Sequence, residues 1–528
     1  MRSLFQSFPW AAVLLALFGC LPPQSHGAGV TVITHGFNGD ADGWVLGMAG
    51  RVRSYSTFPG TNAICYEVSV SYDSGYVVRS RKISGGNPAT DPSTEIVIKL
   101  DWGDLAGFFS QYDTYEVASA LVPRFLQTNF IAELNGHALA ELPLHLIGHS
   151  RGGSLVCQMS RLLGTNGVWV DHLTTLDPHP VNEDGNTDPL FVSDAPLRVY
   201  ENVLFADNIY QDFGGYPHGQ LMPSSYNRRL TSLPGGYSSA HSDTHLWYHS
   251  TIDFRSPAND TEATLSAGDR ASWFNTYESS GTRAGFHYSR IGGANRLSND
   301  KPAGADSISE GYNQQWDFGA GTGPGPNRTS LPRVSSAWPN CIKASLAGAA
   351  QMSVGQTNAI VLHYQWARPA TQEAAISLFL DDDTNPWNGN ERLLQQATVA
   401  GTTSSNVFAG SLPFTINEAS AAPGTHTLFV RFTAEGRTRY LRRRTSHHRS
   451  ADHTASVVNK QRTRWPHPRQ HQRQDRPTNR PRSHRGFSAM GTHCHQRADL
   501  RVLELPRRSA RNFPKLLPRP HRVSPGSA

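Results

Sequence analysis

The sequence is short of cysteine. Five occur in 528 residues, with Cys20 in the N-terminal apolar segment and Cys494 near the end. Cys65, Cys157 and Cys341 remain, an odd number without metal-like spacing, so a disulfide scaffold and a thiolate metal site are both excluded, and one disulfide is the most that could form. Long apolar runs are also missing. The run Ala11–Phe18 is too short to span a bilayer and no later segment is apolar enough, so the mature protein is expected to be soluble and exported. The tail has scarcely any apolar residues and almost no aromatic ones. Residues 441–528 hold 21 of the 48 Lys and Arg and only 4 of the 42 Asp and Glu. That segment carries +17, and residues 1–440 carry −11. The global charge of +6 therefore supports no nucleic-acid partner.

What is present begins with an export signal. Arg2 is its positive end, Ala11–Phe18 its apolar core and Ser25–Ala28 a small-residue exit, which makes residues 1–27 a secretory signal peptide. Leu17-Phe-Gly-Cys20 also resembles a lipoprotein cleavage box. Phe18 is too bulky for that pattern, so lipid anchoring at Cys20 is the lesser reading. The expected location is secreted, periplasmic or at the cell surface.

Residues 28–318 alternate strands and helices. Gly29–Gly36, Ile64–Tyr72, Glu95–Trp102, Leu142–Ile147, Trp169–Leu176 and Arg198–Ala206 read as strands, and Ser80–Asp91 as a polar loop. Trp44, Met48 and Val52 mark one helix. Val117, Leu121 and Phe125 mark another, interrupted near Pro123. This order predicts an α/β domain with a mostly parallel sheet and helices on both faces. Ligands in such sheets bind at the C-terminal strand ends, where His35, Ser150, Asp177 and Asp207 fall. Residues 319–341 read as a Gly/Pro-rich linker. Residues 342–440 hold only short strands and predict a small Ig-like β-sandwich. The basic tail 441–528 reads as disordered, or as an out-of-frame translation.

The chain is organised around Gly148-His-Ser-Arg-Gly152, a G-x-S-x-G pentapeptide between an apolar strand and a helix. In that setting the turn lifts the Ser150 hydroxyl clear of the sheet, and the helix N-terminus aims N–H groups at a developing oxyanion. A serine nucleophile needs a base, and the base an orienting acid. His241, after the irregular stretch 208–240, fits the base best. His245 and His249 follow at one-turn steps and read as ordinary partly buried histidines. A metal on that three-histidine face is the lesser reading, because the glutamate of a zinc protease is missing. Asp177 and Asp207 both preserve the order Ser, Asp, His.

These motifs resemble the pancreatic-type triacylglycerol lipases of the α/β-hydrolase superfamily, and bacterial secreted lipase-like serine hydrolases. The resemblance runs over residues 29–250 as ordered short motifs: His35-Gly-Phe37, Trp44 and Met48, Asp101-Trp102, the pentapeptide, and Leu176-Asp-Pro178. It implies Asp177 as the acid, with Asp207 as alternate. It also implies an oxyanion hole from the backbone N–H groups of Phe37 and Arg151, and a lid within residues 183–240. Arg151 stands where the family has Leu, an extra strand precedes Asp101, and the family's disulfides are missing. The expectation is an exported lipase or esterase acting on ester or lipid substrates, with peripheral contact to lipid or the cell surface. A peptidase or amidase would use the same triad, and a non-catalytic surface-binding protein could keep the same scaffold. No cofactor is expected. Asp381–Glu391 begins like a calcium loop, but Pro386 and Arg392 stand where such a loop has Gly and Glu. It reads as a polar turn, with calcium the lesser option.

Overall fold

Eight strands build the central sheet of the computed structural model in the order β3-β2-β4-β1-β5-β6-β7-β8. They are β1 (Gly29–Thr34), β2 (Ile64–Tyr72), β3 (Tyr76–Ser84), β4 (Glu95–Asp101), β5 (Leu144–His149), β6 (Val170–Leu176), β7 (Val203–Gln211) and β8 (Tyr226–Leu230). All pairings are parallel except the β2–β3 hairpin. The structure describes residues 29–54, 63–107, 111–182, 192–254, 258–259, 263–276, 278–292, 328–332, 338–403, 407–417 and 424–449. The signal 1–27, most of the linker, Tyr277 and the tail past residue 449 lie outside the described residues.

A parallel sheet needs cover on both faces, and its strands are accordingly apolar on both. All six residues of β1 are buried. Val30 and Val32 pack with α3 (Thr114–Leu126) and α4 (Arg151–Thr165), while Ile33 packs with α1 (Trp44–Ser54) and α5 (Ala240–His249). A short α2 (Gly103–Ala106) follows β4, and α6 (Ala267–Trp273) lies against α5, where Trp247 Nε1 donates to the Trp273 carbonyl at 3.2 Å. From β1 the chain builds outward to one side, through β2 and β4. From β5 it builds to the other side. β1 and β5 are neighbours, and the order in which strands are added reverses between them, the place where sheets of this kind take ligands. Among the described residues no helix is long and apolar enough to cross a membrane.

Four details differ from the sequence reading. Ser80–Ser84 is part of β3, an edge strand whose residues are all at least partly exposed. Helix α3 runs through Pro123 without a break. β7 runs from Val203 to Gln211 instead of from Arg198 to Ala206, which puts Asp207 in mid-strand. The expected lid interval supplies β7 and β8 to the sheet, and among its described residues the stretch between them, 212–225, folds back over Asp177. Cys65, Cys157 and Cys341 are buried and free.

The second layer system is all β. β11 (Asn340–Leu346), β13 (Thr357–Gln365) and β16 (Phe408–Thr415) form one sheet. β12 (Gln351–Ser353), β14 (Glu373–Asp381), β15 (Arg392–Ala400), β17 (Gly424–Ala434) and β18 (Arg437–Arg449) form another. A two-residue pair, β9 (Ala258–Asn259) and β10 (Thr264–Leu265), precedes them. The sandwich core joins Ile360, Leu362 and Trp366 to Leu378, Val430 and Phe432. β18 extends nine residues past the expected boundary at 440. The sandwich docks at the N-terminal ends of β5 and β6. Arg439 Nη1 donates to the Leu142 carbonyl and Nη2 to the Trp169 carbonyl, both at 3.0 Å. Trp169 Nε1 donates to Gln365 Oε1 at 2.9 Å. Ser150 and Asp177 lie at the opposite end of the same strands.

Candidate active site

Ser150 links β5 to α4 at φ 56° and ψ −128°. That region is sparsely populated for a residue with a side chain and costs about 1–3 kcal/mol. Packing holds it there. A Cβ on Gly148 would sit 2.1 Å from the Gly152 carbonyl oxygen, and one on Gly152 would sit 2.3 Å from that of His35. The loop after β1 closes from the other side, where a Cβ on Gly36 would lie 2.5 Å from Ser150 Cβ. Ser150 N donates to the Leu176 carbonyl at 2.9 Å, which ties the turn to the end of β6.

At that end, Asp177 adopts φ 44° and is fully buried. Its Oδ2 lies 2.6 Å from His241 Nδ1. A carboxylate only accepts, so Nδ1 carries the proton and His241 Nε2 keeps its lone pair. Gln211, the last residue of β7, fixes the carboxylate. Its backbone N–H donates to Oδ1 at 2.7 Å and its Nε2 to Oδ2 at 2.9 Å. Residues 212–225 then fold over the acid, and a Cβ on Gly219 would approach Asp177 Oδ1 to 2.4 Å. Phe213 and Tyr216 project from this stretch, 46 % and 67 % exposed.

His149, inside the pentapeptide, anchors the base to the nucleophile turn. Its Nε2 donates to the His241 carbonyl at 2.9 Å, and the two rings lie 4.6 Å apart. Burial, helped by the neighbouring His241, pushes its pKa well below the usual histidine value, so it stays neutral. His245 is likewise driven down, first by burial and then by His149, and stacks on Trp44 at 4.2 Å. His249 is buried too. Among the described residues no group of three or more His, Cys, Asp or Glu side chains is placed to hold a metal ion.

Asp207 lies apart from this pair. From mid-β7 its Oδ1 takes His172 Nε2 at 3.0 Å, and Thr174 links His172 to His145 at 3.2 and 2.9 Å. The five-residue shift in where β7 begins is the physical reason: Asp207 sits beside Thr174, two residues before the end of β6. The structure therefore brings His241 together with Asp177, and Asp207 with His172.

Phe37 and Arg151 flank Ser150, one in the loop after β1 and the other as the first residue of α4. Asp101 and Trp102 hold the first of these loops. Trp102 Nε1 donates to the His35 carbonyl at 3.2 Å, and His35 Nε2 lies 3.3 Å from Asp101 Oδ1. That hydrogen bond holds the Asp101 carboxyl below its ordinary range. The Arg151 side chain turns inward. Its Nε and Nη2 meet Asp194 Oδ2 and Oδ1 at 2.7 and 2.9 Å, Nη2 also reaches the Tyr112 carbonyl at 2.6 Å, and the guanidinium lies 5.1 Å from the Trp102 ring. Asp194 in turn accepts from the backbone of Thr114 and Val181, so one carboxylate joins α3, α4 and the segment after Asp177. Sequence reading named neither Asp194 nor Gln211, because their partners lie 43 and 34 residues away in the chain.

Removing Asp194 should be costly. In Asp194→Ala the Arg151 guanidinium stays buried without its counter-ion, and the expected loss is about 3–5 kcal/mol. Urea unfolding measures it. A loss under about 1 kcal/mol would mean that the pair behaves like an exposed one.

No family model matches the chain, and no curated protein matches it. Among solved structures, a superoxide reductase (neelaredoxin) from Ignicoccus hospitalis is 8% identical over 20% of this chain and 80% of that one, with a TM-score of 0.15. The C-terminal domain of wzt is 10% identical over 23% and 84%, at 0.15. A β-glucosidase from Listeria innocua is 13% identical over 20% and 16%, at 0.15. Likenesses at this level carry no argument, and the chemistry of the site rests on its own residues.

Proposed function

We propose that this chain is an exported serine hydrolase of the α/β-hydrolase fold, cleaving carboxylic esters through Ser150, His241 and Asp177. The observation that carries the reading is the 2.6 Å contact between His241 Nδ1 and Asp177 Oδ2, with His241 tied through its carbonyl to the residue before a strained Ser150. An ester would bind at the C-terminal ends of β1 and β5, where the order of strand addition reverses. The similarity to pancreatic-type lipases rests on the same residues.

Ser150 Oγ attacks the ester carbonyl carbon while His241 Nε2 takes its proton. The imidazolium is stabilised by Asp177, itself held by Gln211. The former carbonyl oxygen becomes an oxyanion, met by the backbone N–H groups of Phe37 and Arg151. The tetrahedral intermediate collapses, the C–O bond to the alcohol breaks, and His241 returns the proton to the leaving oxygen. Water, deprotonated by His241, then splits the acyl-enzyme into a carboxylic acid and free serine. Exposed Phe213 and Tyr216, beside the acid, favour an apolar acyl chain over a charged one.

A fluorophosphonate probe should label the folded protein once, on Ser150, as located by peptide mass spectrometry. A panel of nitrophenyl esters of rising chain length, run beside amide and peptide substrates, should show turnover of esters. Labelling at another residue, or none, would overturn the nucleophile. Faster turnover of amides would make it an amidase or peptidase.

A further inference from the structure

The loop between β14 and β15, Asp381 to Glu391, takes no part in the chemistry above. Its side chains follow an alternating pattern. Oδ1 of Asp381, Asp383 and Asn385 each accepts the backbone N–H two residues on, at 2.9, 2.7 and 2.9 Å. Asp381 is fully buried, and its Oδ2 has no hydrogen-bond partner. The Asp383 carboxyl lies directly against it. Asp383 Oδ2 takes the amide nitrogens of Asn388 and Asn390 at 2.8 and 2.9 Å, while Asn390 Oδ1 is buried without a partner. The nearby basic side chains serve another residue: Arg392 and His426 both reach Asp382.

A buried carboxylate with a bare oxygen, pressed against a second carboxylate, lacks a positive charge. We propose that this loop binds a calcium ion, with Asp381 and Asp383 giving carboxylate oxygens and Asn390 its amide oxygen. All the donors are hard oxygens, with no imidazole or thiolate among them. Irregular spacing of carboxylate and amide oxygens suits the flexible shell of calcium and not the rigid octahedron of magnesium. Pro386 and Arg392 still separate the loop from the helix–loop–helix calcium motif. With two carboxylates, affinity should fall in the range of extracellular modules, about 10⁻⁴–10⁻³ M.

The site has a structural consequence. Thr384 N donates to the Pro92 carbonyl at 3.0 Å and Asn385 Nδ2 to that of Pro88 at 2.8 Å, so this loop is also a joint between sandwich and sheet domain. Calcium would stiffen that joint.

Terbium bound here should luminesce on excitation of Trp387, which lies within the loop. On the full chain, calcium should displace one terbium per molecule, at millimolar calcium, and magnesium should not. Calcium should also raise the melting temperature. Asp381→Asn and Asp383→Asn should weaken calcium binding at least about tenfold by removing ligand charge, and abolish the thermal shift. Asp382→Asn should bind as the parent does. Asp381→Asn is isosteric and relieves a buried charge, so it should fold. A parent protein with no calcium-displaceable terbium would overturn the proposal, as would unchanged binding in Asp381→Asn or equal displacement by magnesium. None of these outcomes depends on Ser150.

Discussion

Ser150→Ala should lose about 10⁶-fold in kcat on a short nitrophenyl ester, because removing the nucleophile of such a triad costs as much as removing the triad. What survives is the residual acceleration from oxyanion stabilisation and binding, about 10³–10⁴-fold over water. The change deletes one oxygen and leaves the turn's constraints in place. Gly148, Gly152 and the β1 loop still crowd the turn, and alanine at φ 56° is no better placed than serine. The melting temperature should therefore move little. Parallel kinetics and thermal melts test both halves, and activity retained in a folded Ser150→Ala protein would remove the serine mechanism altogether.

Asp177→Asn should cost about 10⁴-fold in kcat, with a smaller change in KM. The reason lies in the proton on His241 Nδ1. A carboxylate only accepts, which keeps the Nε2 lone pair available as the base. An amide can donate to Nδ1 instead, and the histidine then carries its proton on the wrong nitrogen. Gln211 sharpens the argument, because its backbone N–H and side-chain amide already donate to this carboxylate. Asp207→Asn is the counterpart. It disturbs the buried pair with His172 and should lower stability while changing kcat less than about tenfold, since His241 keeps its partner. If Asp207→Asn suffers the 10⁴-fold loss instead, the acid has been misassigned.

The pentapeptide turn was readable because its signal is local. An apolar strand, two glycines around a serine and a helical period all lie within about twenty residues. Asp177 stood at the end of an apolar strand for the same reason. The far end of β7 was hidden by its polar content. Asp207, Asn208 and Gln211 are all buried, with lateral partners in His172, Thr175, Asn227 and Asp177. Apolar periodicity cannot register a strand whose buried side chains are satisfied sideways by hydrogen bonds. β3 escaped notice for the opposite reason. As an edge strand it has no fully buried residue, and its Arg, Lys and Ser read as loop. The calcium-like loop needed coordinates, since sequence shows its oxygens but not that one of Asp381's is left bare.

Strands β5 and β6 are held at both ends, by different parts of the chain. At the far end one guanidinium, Arg439 of the sandwich, grips the carbonyl of Leu142 ahead of β5 and that of Trp169 ahead of β6. At the near end, about 20 Å away for six residues of strand, stand Ser150 and Asp177. Two parallel strands have one degree of freedom that matters here, their stagger. A slide of β6 against β5 would lower or raise the acid relative to the nucleophile. Arg439 acts as a setscrew on that stagger, from the end of the strands opposite Ser150 and Asp177. The sandwich is thereby tied to the stagger that sets Ser150 against Asp177.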